Sequence, residues 1–136
     1  TSNGEQGRKN ALIGAGIGIT PLRALLEATP FAPGQATVLL RGHSEQELYL
    51  SREILSLCRV RGARLFYLTG PRADGQFSWL SDDAYRSGHT LTSYVPDAAE
   101  ADIYICGPAR WTANVVAAAG LTGVPAGQIH HERFDW

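Results

Sequence analysis

Methionine is absent from this chain of 136 residues, which opens on Thr1, so the sequence reads as a piece of a longer protein. Cysteine is nearly absent, and the two present, Cys58 and Cys106, lie far apart. Such a pair makes neither a disulfide framework nor a zinc pattern, and it fits a reducing, cytoplasmic compartment. An excess of one charge is also missing: 12 Lys and Arg stand against 13 Asp and Glu, for a net charge of −1, with no basic run. That argues against nucleic acid, or an anionic membrane, as the main partner. No apolar run reaches the length of about 18 residues that a spanning helix needs, and no signal peptide is visible. His43, His89, His130 and His131 lack metal-ligand spacing, so no metal is expected. Neither a nucleophile elbow nor a Walker lysine is found.

What the chain does have is an apolar share of 44% over a length suited to one domain, enough for a real core. Residues 1–8 are polar and read as a tail or linker, which leaves 9–136 as the domain. Its organising stretch is Gly14-Ala15-Gly16-Ile17-Gly18-Ile19-Thr20-Pro21. The apolar run before it reads as a buried strand, and Leu22, Leu25 and Leu26 after it fall on one helical face. Glycine lets backbone approach a ligand, and Pro21 suits a first helical turn. The free N–H groups of such a turn favour phosphate. Two readings stand: a pyrophosphate-binding strand–loop–helix, or a tight turn with no ligand. The spacing departs from G-x-G-x-x-G, because Ile19 stands where the third glycine belongs.

Further strands are expected over 36–40, 63–68, 102–106 and 128–134, with the segment 90–95 ambiguous. Ser44 and Glu47 form a capping box for a second helix ending near Gly62, and Ser81 opens a short one. A helix after Pro108 carries Trp111, Val115 and Ala119 on one face, with a loop from Gly120. Strands apolar on both faces and alternating with helices predict an α/β fold, a doubly wound parallel sheet with helices on both faces. Ligands of such sheets sit beyond the carboxyl ends of the strands. The loops at Gly14–Gly18, Arg41–Ser44, Thr69–Arg72 and Cys106–Pro108 should therefore line one crevice.

An NAD site usually carries an acid at the end of its second strand; here Arg41 occupies that place, followed by Gly42, His43 and Ser44. Arg41 and Arg72 are either ligands for a 2′-phosphate, hence NADP, or two solvated surface arginines. Cys106 reads as a small core residue. The terminal run Glu132-Arg133-Phe134-Asp135-Trp136 places two aromatics beside a carboxylate, suited to docking on a planar cofactor or to closing the core.

The glycine stretch through Thr20-Pro21, then Ile105-Cys106-Gly107-Pro108, then Glu132-Arg133-Phe134 resemble, in this order, the ferredoxin–NADP reductase superfamily, in particular the NAD(P)-binding domain of bacterial ferric-reductase or NADPH-oxidase-like flavoproteins. The resemblance implies a five-stranded sheet of order 3-2-1-4-5 that passes a hydride from NADPH (NAD being the other candidate) to FAD. By it, Gly14, Gly16 and Gly18 hold the pyrophosphate, and Thr20-Pro21 and Cys106-Gly107-Pro108 flank the nicotinamide. Arg41, with Ser44 near it, and Arg72 match positions that hold the 2′-phosphate. Glu132 and Phe134 match residues near the flavin, Trp136 extends that terminus, and Thr20, Cys106 and Glu132 are the catalytic candidates. Phe134 or Trp136 would then gate nicotinamide access. The partner implied is an FAD-binding barrel of the same parent chain, expected upstream of Thr1, in a protein with or without a membrane anchor. A nucleotide-sensing or interaction module without catalysis is the alternative.

Overall fold

The computed structural model describes residues 9–29, 31–42 and 51–133. Five strands, β1 (Asn10–Ala15), β2 (Ala36–Gly42), β3 (Arg64–Thr69), β4 (Asp102–Gly107) and β5 (Ile129–Arg133), form one parallel sheet in the order β3-β2-β1-β4-β5. The central strands are apolar on both faces because both faces are covered. Leu12, Val38 and Leu40 pack under α1 (Ile19–Ala28) and α2 (Ser51–Arg61), against Leu22, Leu26, Ile54 and Cys58. Ile13, Leu39, Ile103 and Ile105 face the other way, against the β3–β4 connection and α5 (Ala109–Thr122). That connection contains two short helices, α3 (Asp82–Arg86) and α4 (Leu91–Tyr94).

The expected elements are present, with informative differences. The ambiguous segment 90–95 contains α4, started by a reciprocal capping box between Thr90 and Ser93. Ser81 caps α3 as its sequence suggests, its Oγ accepting from the Ala84 amide at 3.2 Å. Helix α5 does not stop at Gly120; it runs to Thr122, where Gly123 takes φ +98 and the Val124 amide donates back to the Ala119 carbonyl. Strand β2 continues through Arg41, which is buried with only 5% of its surface exposed. The Ser44–Glu47 capping box lies outside the described residues.

One contact fixes how α1 leaves the sheet. Gly18, just before α1, lies so close to β4 that an added Cβ would sit 2.4 Å from the Cys106 carbonyl oxygen and 2.7 Å from the Gly107 amide nitrogen. On the opposite side of β4, the Thr112 hydroxyl of α5 donates to the Gly107 carbonyl at 3.2 Å.

Gly18→Ala should therefore destabilise by about 1–3 kcal/mol, the cost of overpacking. Gly120→Ala, on an open helix surface with nothing within 4 Å, should stabilise by about 0.5–1 kcal/mol. Urea unfolding midpoints check both. Burial pushes the Cys58 thiol up to about 11 from its ordinary 9.0, and raises Tyr94 as well. A raised folded pKa gives stability that is complete below the unfolded value and disappears as pH rises through the folded one. Unfolding midpoints should hold up to about pH 9 and fall toward pH 11, with a shallower fall in Cys58→Ala.

Candidate functional site

Strand β1 delivers its last residue, Ala15, to the carboxyl edge of the sheet, and a single 3₁₀ turn, Gly16–Gly18, leads into α1. Gly16 is exposed and takes φ +60, a conformation that a β-branched residue strongly resists. No side chain caps α1, which follows the 3₁₀ turn directly at the same edge. Thr20 is exposed on that first turn and Pro21 is partly buried beneath it. Gly14 is covered by Leu22 and Ile19 of α1, and Gly107 by the Trp111 ring; with Gly18, these glycines allow close packing, while Gly16 is the one open to solvent.

Two cavities open on either side of this loop. The first, about 300 Å³, lies on the α5 face and is lined by Gly16, Arg41, Arg72, Ser78, Arg110 and Trp111, with Pro108 beside them. The second, about 540 Å³, lies on the α1 face, where Pro21 and Leu25 meet Tyr104, Cys106, His130 and His131. Its wall includes a stacked pair, Tyr104 and His130, with ring centroids 4.8 Å apart. The segment Cys106-Gly107-Pro108 separates the two: Cys106 faces the second cavity and Pro108 the first.

All four expected loops reach this edge, but their side chains divide. Gly16, Arg41, Arg72 and Pro108 line one cavity, while Pro21 and Cys106 line the other. Cys106 is itself buried, with 8% of its surface exposed. Arg41 is not a solvated arginine: its Nη1 donates to the Leu68 carbonyl at 2.9 Å and to that of Gly42, and its Nη2 to Gly70 at 2.9 Å. Arg72 is exposed. Glu132 pairs with Cys106 in the β4–β5 register, so its backbone is at the same edge. Ser44, Phe134 and Trp136, and with them the proposed aromatic gate, lie outside the described residues. Sequence reasoning missed Arg110 and the cavity-facing role of Trp111. The signal was there: Pro108 opens α5 at the ligand edge, so the next residues belong to its first turn.

A family model described as the oxidoreductase NAD-binding domain matches residues 12–116, more than half of the chain. The chain belongs to that family. It is 30% identical over 131 residues to a ferredoxin–NADP reductase B of Sorangium cellulosum, covering 90% of this chain and 53% of that one. It is 27% identical over 133 residues to a flavohemoprotein of Xylella fastidiosa, covering 93% of this chain and 32% of that one. Among solved structures, the FAD/NAD-binding domain of a nitric oxide dioxygenase from Vibrio cholerae superposes with a TM-score of 0.72 at 24% identity, over 96% of this chain and 52% of that one, which is a likeness of fold. The chain thus spans 32% to 53% of the length of these curated relatives.

The residues present fit a dinucleotide. The first cavity has donors in surplus: the exposed Arg72 and Arg110 line it, and the buried Trp111 Nε1 has no acceptor among the described residues. Phosphate oxygens supply acceptors alone. Gly16→Val should abolish nucleotide binding, because a side chain there occupies the cradle and forces φ away from +60. The check is calorimetric titration with NADPH alongside circular dichroism; an unchanged spectrum with no binding is expected.

Proposed function

We propose that this domain is the dinucleotide-binding half of a flavin-dependent oxidoreductase, holding NADPH so that its nicotinamide meets FAD carried on another domain of the parent chain. The observation that supports it is the glycine turn between two unlike cavities, one lined by arginines and one by Pro21 and Cys106. Gly16 and the glycine turn that leads into α1 would take the pyrophosphate. The arginine-lined cavity would take the adenosine end, and Thr20, Pro21, Cys106 and Glu132 would lie around the nicotinamide. The nicotinamide supplies the hydride and the flavin accepts it. This chain's own task is positioning: a rigid floor under the reacting ring converts an encounter into a held geometry. The close packing of Gly18 on Cys106–Gly107 suits that task, since neither segment can shift alone.

The functional unit is taken as residues 9–136, with 1–8 as a linker. On the motifs Thr20-Pro21 and Cys106-Gly107-Pro108 we take the parent to be of the bacterial ferric-reductase or NADPH-oxidase-like kind, and the domain to work in the cytoplasm, where Cys58 and Cys106 stay reduced. Among the described residues no helix is long and apolar enough to cross a membrane. Purified alone, this chain should bind NADPH in calorimetry and remain colourless, with no stoichiometric FAD. Absence of any NADPH binding, or a yellow protein with one FAD per chain, would refute the reading.

A further inference from the structure

A third cavity, in the outer layer of the molecule, has no part in the dinucleotide reading. We propose that it is a separate binding site for a planar aromatic molecule of one or two rings, laid against the Phe77–Tyr85 ring pair, with a carboxylate or ketone oxygen turned toward His89.

The cavity exists because of how the β3–β4 connection is built. A 3₁₀ turn, Gly75–Phe77, and the short helices α3 and α4 take the place of one long helix, and they leave the last turns of α5 partly uncovered. Ala118, Leu121 and Thr122 lie at helical spacing on one face of those turns. Between them and Phe77, Trp79, Tyr85 and His89 is a volume of about 470 Å³. Ser78, between Phe77 and Trp79, turns the other way, into the arginine-lined cavities, where its Oγ accepts from the Asn114 amide at 2.8 Å. The two regions share no lining residue.

The lining defines the occupant. Five large hydrophobic residues are exposed among the described ones, and three of them, Phe77, Tyr85 and Leu121, surround this opening. Apolar residues exposed singly are ordinary, but a contiguous patch marks a contact surface. Phe77 and Tyr85 are already stacked, with centroids 4.7 Å apart and 28° between their planes, so a third ring can extend the stack. Trp79 and Leu80, 2% and 1% exposed, contribute a buried apolar floor. No acid, lysine or arginine lines the cavity, so it has no partner for a highly charged ligand.

The polar groups on the wall are donors. Thr122 donates to the Ala118 carbonyl at 2.9 Å, and the Thr90 and Thr92 hydroxyls are bonded to one another at 3.0 Å. The Tyr94 hydroxyl, kept protonated because burial raises its pKa, donates to His89 Nδ1 at 2.9 Å, which leaves the ring proton on Nε2. That N–H and the Tyr85 hydroxyl remain for a ligand oxygen. Eleven residues line the cavity, against about 20–30 a side in a standard protein interface. Its volume, in contrast, falls within the range of about 300–1,000 Å³ for small-molecule pockets.

The test titrates 2-naphthoate into the chain, with and without saturating NADPH, and follows backbone amide chemical shifts. Saturable shifts are expected at residues 75–92 and 118–122, with the same Kd in both conditions. Decahydronaphthalene-2-carboxylate, which lacks the aromatic rings, and naphthalen-2-ylmethylammonium, which lacks the acceptor, should each bind at least about fivefold more weakly. Phe77→Ala and Tyr85→Ala should weaken 2-naphthoate at least about fivefold, and His89→Ala about tenfold, with urea midpoints recorded for each. Should the ring variants fail to fold, Leu121→Glu, on an exposed helix surface, places a carboxylate at the mouth and should also weaken binding at least about fivefold. Four outcomes overturn the inference. They are no shifts at millimolar 2-naphthoate, binding that NADPH abolishes, equal affinity for the saturated analogue, and a dimer in sedimentation that Leu121→Glu disperses, which would assign this face to a second copy. The dinucleotide reading stands or falls separately, on the NADPH titration.

Discussion

Backbone against backbone, with no side chain between, is how α1 meets β4. Gly18 lies against the Cys106–Gly107 peptide at a separation no Cβ could tolerate, and the Thr112 hydroxyl of α5 holds the Gly107 carbonyl from the far side. The carboxyl end of β4 is therefore fixed by one helix on each face. Everything at the ligand edge takes its position from that contact: the glycine turn, the start of α1, and the division into two cavities at Cys106-Gly107-Pro108. Interiors packed this closely transmit displacement rather than absorb it. A shift of α1 by a fraction of an ångström would move the cradle and the floor of the site together.

The sheet turns this local contact into an asymmetric site. Because successive residues of a strand face opposite ways, Cys106 and Tyr104 point toward the α1 face while Ile105 and Ile103 point toward α5. The α1 side of the edge is mostly apolar and aromatic; the α5 side gathers Arg41, Arg72 and Arg110. The two faces thus offer unlike surroundings, one cationic and one largely apolar, across a single turn of chain.

Much of this was legible in advance, and the reasons differ by residue. Leu22, Leu26, Trp111, Val115 and Ala119 are buried because a helical period of 3.6 leaves few other ways to hide them. The strand order followed from the motif combination, which names a family, and not from periodicity, which cannot order parallel strands. The solvated reading of Arg41 fails because pattern reading assigns arginine to solvent by default, whereas this one is buried in the cavity wall. Nothing local reveals that three carbonyls, of Gly42 in β2, Leu68 in β3 and Gly70 just beyond it, converge on its guanidinium. The end of α5 was set too early, since a glycine on an open helical surface is tolerated and the residue that ends the helix is the one that turns left-handed, Gly123. Arg110 escaped notice because the cavities it lines are formed by segments distant in chain order, as the Asn114–Ser78 hydrogen bond at 2.8 Å shows with its separation of 36.

The contrast in burial between Arg41 and its two neighbours bears on how such a domain can change over time. Arg41 is locked into the sheet, whereas Arg72 and Arg110 protrude from a loop and from a helix's first turn into solvent. Exposed positions of that kind usually accept substitution within about 0.5 kcal/mol of fold stability. The lining of that cavity can therefore be altered by exchanging side chains that the fold does not depend on. The buried arginine keeps the scaffold constant while its neighbours vary.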